Sequence, residues 1–451
     1  MAEADDLAQE LSELLPGRVT PDVKAYLKDW WPFLRFTDET FGSASAAVKP
    51  VNVEELVRLV NFASSKGVSL YVRGGGSSVT GASIPSSGIV VDTSSLNQIL
   101  DLDEANRTVT AQAGVKLKAL EAKLNGSGFT LSQFPQSFEL ATVGGFVSTL
   151  GSGQYSTLYG GVEESVLRLE VVLPSGEAVW TRRRGAPRSS VGPDLSRIFL
   201  GAEGSLGLIT AAELKIRKLP NHIWKAAFAF ASFEEAVNAS RALIELDVKP
   251  AVCRANNEAE SQLQFNEKGC TLVLLYHFRS KDVMEAVKGE VLALLEGNSA
   301  PADPKLVDQW LESRFSFKER IESMESLGYA TETIEVAAKW SRLLELYYDV
   351  MGSLGELNGI GGVGACTSHL YEQGGSLGFT ILFQPKKETY WRIWELVDKA
   401  TRAHDATISH HHGVGILKKV YAKDEIPVDL LRKVKQAIDP DGILSPDRLP
   451  D

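Results

Sequence analysis

The chain has 451 residues, of which 44% are apolar and 23% charged, and a formal net charge of −11. That length exceeds a single hydrophobic core and predicts two to three domains. The acid excess is spread along the chain and excludes nucleic acid as the main partner, because phosphate binding needs a basic face.

The opening MAEADDLAQELSELL is acidic and amphipathic, whereas a signal peptide needs a basic start and an apolar run. No stretch approaches the ~20 apolar residues that cross a bilayer, and no peroxisomal or other address closes the chain. Cys253, Cys270 and Cys366 are too scattered for a disulfide framework or a metal-type pair. The expected location is the cytoplasm, with peripheral membrane contact left open.

Residues 1–45 read as a helical preface ending in DWWPFLRF, where Trp30 and Trp31 suit packing anchors. A helix then starts at an Asn52 cap, carries the stripe Val53, Leu56, Leu59, Val60 and Ala63, and stops at Gly67. VSLYVR is a predicted strand, followed by GGGSSVTG and a second strand in GIVVDTSSL. TVTAQAGV reads as a strand, KLKALEAKLNGSG as a helix, and LRLEVVLPSGEAVW as a hairpin around Pro174-Ser175-Gly176. LITAAELKIRKLP is a strand of alternating polarity, and Pro220 marks a boundary.

Beyond that boundary, helices over 233–246 and 283–296 alternate with β-like runs such as TLVLLYHF and GFTILFQ. A last helix ends at Asp439-Pro440. This grammar is α+β. The predicted domains are 46–220, a cap over 221–405, and a C-terminal segment over 406–451 that returns to the first domain.

Three glycine- and hydroxyl-rich loops lie beside strands in the first domain. Val72, Arg73, Gly74, Gly75, Gly76, Ser77, Ser78 and Gly81 form one. Pro135, Ser137, Thr142, Gly144, Gly145, Ser148, Thr149, Gly151 and Ser152 form the second; Glu203, Gly204, Leu206, Gly207 and Ile209 form the third. Neither a Rossmann fingerprint nor a P-loop is present. Loops of this kind let successive N–H groups approach one anion, and three together suit an extended diphosphate-containing ligand.

YVRGGGSSVTGA, ATVGGFVSTLGSGQYSTLYG and IFLGAEGSLGLITAAELKIRKLP together resemble the FAD-binding domain of the vanillyl-alcohol oxidase/p-cresol methylhydroxylase (PCMH) superfamily. The resemblance implies a PCMH-type FAD-binding domain of two α/β subdomains plus an α+β cap with an antiparallel sheet, and flavin at the domain interface. The cofactor's pyrophosphate would lie on Arg73 to Ser78, its ring near the 137–152 loop and the 203–209 turn. FAD would be non-covalent, since neither histidine nor cysteine lies in the first two loops.

Within the superfamily the chain is most similar to the alkyldihydroxyacetonephosphate synthases, on SHHHGVG (409–415), APRSSVGPD (186–194) and HLYEQGG (369–375). That similarity implies Tyr371 as proton donor/acceptor, His410, His411 and His412 as histidines needed for activity, Arg188 as active-site arginine and Arg320 as a substrate-binding arginine. It also implies a homodimer and a small anionic or lipid-like substrate. The reaction would exchange an acyl for an alkyl group on a dihydroxyacetone-phosphate-like substrate through a flavin N5 adduct. The alternative is an FAD-linked oxidase or dehydrogenase of a small 2-hydroxy acid or alcohol, with a flavin-binding subunit lacking chemistry of its own as a third reading. The lactate and 2-hydroxyglutarate dehydrogenases carry a metal motif, H-x-G-D-G-N-x-H, that here reads HLYEQGGSLG, so the expected metal set is none. For the three histidines, a metal site, a structural role and acid–base duty all stand; acid–base duty is favoured because imidazole titrates near neutral pH.

Overall fold

The computed structural model describes residues 2–450, which form two compact units. One gathers the chain up to Ser152, Gly161–Lys218 and the stretch that begins at His411; the other is Gly153–Gly160 with Leu219–His410.

In the first unit, a sheet runs in the order Val19–Thr20, Ala46–Val48, Ile89–Asp92, Leu70–Arg73. The last three strands are parallel, with Val48 opposite Val91 and Arg73 opposite Asp92. The crossover that parallel strands require is the helix Val53–Lys66. Its Asn52 cap accepts from the Glu55 amide at 2.8 Å, and Leu56, Leu59, Val60 and Ala63 on its inner stripe have no exposed surface. Each large side chain so buried contributes about 1.5–3 kcal/mol. The preface is helical over Ala2–Leu14 but then donates the strand Val19–Thr20 to this sheet. Trp31 is fully buried and stacks on Phe33, as its anchor reading requires.

The second sheet of this unit is antiparallel, ordered Ile99–Asp103, Thr108–Gln112, Leu208–Lys215, Val166–Val172, Ala178–Trp180. Leu208–Lys215 is buried from Leu208 to Leu214 on both faces, where the alternating sequence predicts one face in water. Its central position explains this, and Glu213 is tolerated there because Arg168 on the neighbouring strand pairs with it. The tail also returns to this unit. The Leu70 amide donates to Ile443 O at 2.7 Å and the Ser445 amide to Leu70 O at 2.9 Å, fastening the strand that feeds the first glycine loop.

The second unit is built on one antiparallel sheet, ordered Ala300–Ala302, His222–Phe230, Cys270–Phe278, Val252–Asn256, Ile360–Thr367, Gly374–Phe383, Ala330–Lys339, with Leu370–Tyr371 pairing onto Gly374–Phe383. Helices Phe233–Ile244 and Lys281–Leu295 fall where helical periodicity puts them. Strand Ala330–Lys339 alternates cleanly. Ala330, Glu332, Ile334, Val336 and Ala338 are buried on one face, and Glu335 belongs to the other. The molecule is α+β. Among the described residues, no helix is long and apolar enough to cross a membrane.

Candidate active site

In the first unit the three glycine loops converge. A Cβ on Gly75 would collide with the Leu140 carbonyl, and one on Gly204 would strike Val72, so these backbones touch where side chains would hold them apart. Gly76 takes φ +63°. Among the described residues, the amides of Gly75, Gly76 and Ser77 donate to no protein group. Three consecutive N–H groups without a protein acceptor, in a glycine bend, leave donors that suit an anion such as a diphosphate. The second loop carries the short helix Val143–Ser148, capped by Thr142, with Gly144 packed on Ala113. The third binds to it through the Glu203 amide, which donates to Ser148 O at 2.9 Å. Pro135, Ser137, Gly145, Thr149, Gly151, Ser152, Leu206, Gly207 and Ile209 belong to these same two loops.

Arg73 and Ser78, both in the predicted cofactor set, are engaged with protein. The Arg73 guanidinium turns back, donating to Lys28 O at 2.9 Å and Tyr26 O at 3.2 Å. The Ser78 hydroxyl accepts from the Thr80 and Ala82 amides at 3.1 and 3.2 Å. Both shape the loop from within. Nearby, Asp29 accepts from the Trp31 amide at 3.0 Å, and burial pushes its carboxyl up to about 6.

The histidine turn divides between the units. His411 and His412 belong to the first, their rings edge-to-face at 4.5 Å, and His410 belongs to the second.

In the second unit Tyr371 lies on the two-residue strand Leu370–Tyr371, and its carbonyl accepts from Trp340 Nε1 at 3.1 Å. Its hydroxyl is hydrogen-bonded to His410 Nε2 at 2.8 Å. Behind this pair stands His369, stacked on His410 at 4.8 Å. His369 Nδ1 is 2.6 Å from the Ser156 hydroxyl, and Nε2 is 3.8 Å from Glu335. The Glu335 carbonyl accepts from the His410 amide at 3.1 Å. A phenol, two imidazoles, a serine and a carboxylate thus cluster, with hydrogen bonds joining Tyr371 to His410 and Ser156 to His369, and a stacked contact between the two imidazoles.

A second polar cluster adjoins Glu335. Arg254 Nη2 donates to Glu260 at 2.9 Å, and its Nε donates to Asn256 at the same distance. Burial works against the Arg254 charge, but Cys366, Glu260 and Glu335 hold its pKa above the ordinary value. Burial pushes the Cys366 thiol up to about 12. The Arg320 pKa is lowered by burial, with Glu260 acting against that shift and Arg254 with it. Arg254 and Arg320 thus stand against two carboxylates, Glu260 and Glu335, so the cluster is close to charge-balanced and offers two guanidinium groups as donors.

Arg254 and Glu335 are not singled out by the sequence, where His369 offers itself only as a metal partner for the three histidines. An arginine inside the apolar strand VCRAN was the available signal, since a charge is almost never buried without a purpose. Glu335 supplies a carboxylate beside His369 and His410. Ligand atoms of Glu335, His369 and His410 lie within 4.8 Å of one another, a donor set able to hold a divalent cation. Arg188 is exposed on the loop after Trp180 and makes no ion pair among the described residues.

Residues 44–182 match the model of the FAD binding domain, and residues 219–449 match that of FAD linked oxidases, C-terminal domain. The chain is 28% identical over 429 residues to the uncharacterized FAD-linked oxidoreductase YgcU of Escherichia coli (strain K12), spanning 89% of this chain and 88% of that one. It is 28% identical over 453 residues to the alkyldihydroxyacetonephosphate synthase of Caenorhabditis elegans, spanning 88% of this chain and 74% of that one. A solved alkyldihydroxyacetonephosphate synthase shares the fold, with a TM-score of 0.80 at 23% identity over 98% of this chain and 84% of that one. The unengaged amides of the first loop fit the phosphates of such a cofactor, and the chain belongs to the FAD-linked oxidase family as an FAD-dependent enzyme.

Proposed function

We propose that this enzyme exchanges an acyl for an alkyl group on a dihydroxyacetone-phosphate-like substrate, as an alkyldihydroxyacetonephosphate synthase does. The observation that carries the reading is the 2.8 Å hydrogen bond between Tyr371 and His410, backed by His369, Ser156 and Glu335. Bound FAD, held by the three glycine loops, supplies a reversible two-electron sink. Tyr371 takes the proton from the carbon beside the substrate carbonyl and passes it to His410. The positive charge this leaves on His410 is offset by the Glu335 carboxylate, with His369 stacked beside it. Arg320 and Arg254 hold the anionic head group, and His411 and His412 serve proton transfer to the departing carboxylate and from the incoming alcohol. Arg188, exposed as it is, is assigned to guiding anionic substrate rather than to the chemistry.

The same proposal keeps a flavin body over 46–220 with the segment 406–451, a substrate body over 221–405, non-covalent FAD, a lipid-like substrate, a homodimer and a cytoplasmic location. The test is anaerobic mixing of the holoenzyme with an acyl-dihydroxyacetone phosphate and a long-chain alcohol. Formation of the alkyl ether, with the 450 nm flavin band recovering at the end of turnover, is the expected result. Lasting bleaching by a 2-hydroxy acid, without ether formation, would refute it. That outcome is the second reading, an FAD-linked dehydrogenase. It draws support from the Glu335, His369 and His410 donor set, because a divalent cation there would polarise a hydroxyl.

A further inference from the structure

Glu203 falls among the cofactor-binding residues by sequence, yet its surroundings describe a different task. It is a non-glycine residue at φ +49° and only 6% exposed. Its carboxylate oxygens both face the turn that follows the histidines: Oε1 accepts from the Val414 amide at 2.6 Å and Oε2 from the Gly415 amide at 2.9 Å. Thr80 holds the next step of the same turn, its carbonyl accepting from the Ile416 and Leu417 amides at 2.9 and 3.1 Å. Gly413 stands at φ +75°, and a Cβ there would collide with Glu203 Oε1. Burial raises the Glu203 pKa, while the two amides, Arg448 and Lys418 act to keep it charged.

We propose that Glu203 is a positioning residue that latches the His411–His412 turn to the flavin loops. A buried carboxylate is costly to leave unpaired, and two charge-assisted N–H bonds to adjacent residues fix the turn in one register. Through its own amide the same residue is tied to Ser148 in the second glycine loop, so one residue joins the turn that follows the two imidazoles to that loop. The glutamate acts on the histidines through the backbone and touches no reacting atom. That the histidines move protons rests on the function proposed above; the latch itself does not.

The test uses FAD-loaded Glu203→Gln, read by amide hydrogen exchange over peptides spanning 409–417. Glutamine retains one acceptor but sets an NH2 against the second amide. Exchange in this turn should rise about tenfold or more, as for the loss of a hydrogen bond to a charged group, with FAD content unchanged. With acyl-dihydroxyacetone phosphate as probe, kcat should fall about tenfold while KM stays within about twofold, the pattern of misplaced catalytic groups rather than lost binding. Unchanged exchange overturns the latch, and so does loss of FAD with the turn still protected, which would make Glu203 a cofactor contact. Should Glu203→Gln fail to fold, Gly413→Ala displaces the same oxygen from the other side and must loosen the same peptides; protection retained there overturns the proposal. If the wild type does not turn over the probe, the function proposed above fails, while the exchange result still decides the latch.

Discussion

The glycine loops and the Tyr371–His410 cluster solve opposite problems. The loops hold their ligand with backbone, so their residues are defined by what they lack: Gly75 has no room for a methyl group beside Leu140, and its amide is left unengaged. The cluster works with side chains. Glu335, His369, Tyr371, His410 and Ser156 come from separate stretches of the second unit, two of them sheet strands, one a short helix and two from loops, and meet only in the folded unit. A backbone site is a local property of a short peptide, whereas a side-chain site is a property of topology. The two should therefore fail differently. Damage to the loops should lose cofactor and keep the fold, while damage to the cluster should lose chemistry or stability and keep cofactor.

The largest effect belongs to the buried ion pair. Arg254→Ala strands Glu260, whose side chain is 1% exposed, and should cost about 3–5 kcal/mol in urea unfolding. Arg254→Met combined with Glu260→Leu should recover most of that stability but not the activity. If the single variant unfolds like the wild type, Glu260 does not depend on Arg254 for its charge to stay buried. Next comes Tyr371→Phe, which removes only the hydroxyl bonded to His410. Turnover should fall about 10²–10⁴-fold, the range for a general acid–base group, with FAD content intact. A drop confined to KM would move Tyr371 from proton transfer to binding.

On the loop side, Gly75→Val should reduce FAD occupancy at least about tenfold, because the branched side chain both meets Leu140 and spoils the bend of the cradle. Because the Leu140 carbonyl is backbone and cannot swing aside, the apoprotein should also lose some stability, though less than Arg254→Ala does. Equal loss of FAD and fold would erase the distinction between the two regions.

This contrast also explains what could be read without coordinates. RGGGSS is recognisable because everything it needs is contiguous, and the run His410–His412 is conspicuous for the same reason. Arg254 was not legible, because one arginine in a five-residue strand gains meaning only when Glu260, Glu335 and Cys366 are seen around it. Glu203 misleads in a second way. Its place in a glycine-rich turn suggests a ligand contact, while its partners Val414 and Gly415 lie far along the chain. Leu208–Lys215 reads as half-exposed because nothing local records that Arg168 neutralises Glu213 from the next strand. Local chemistry was visible in the sequence; long-range pairing was not.

The smallest effect tests whether the first loop depends on the preface as its hydrogen bonds indicate. Asp29 lies where Arg73 folds back, bonded to the Trp31 amide and to Ser83, and burial is the main cause of its carboxyl rising to about 6 from 3.8. The folded chain therefore holds this proton more tightly than the unfolded chain. The resulting stabilisation is complete below about pH 3.8 and is lost as pH rises through about 6. Asp29→Asn keeps an acceptor for the Trp31 amide and removes the titration. Relative to the wild type it should gain on the order of 2 kcal/mol at pH 8 and much less at pH 4.5, measured by urea unfolding of the apoprotein. An equal gain at both pH values would place the benefit in packing, and a loss at pH 8 would mean that the ionised carboxylate holds Arg73 and the glycine loop more strongly than its burial opposes it.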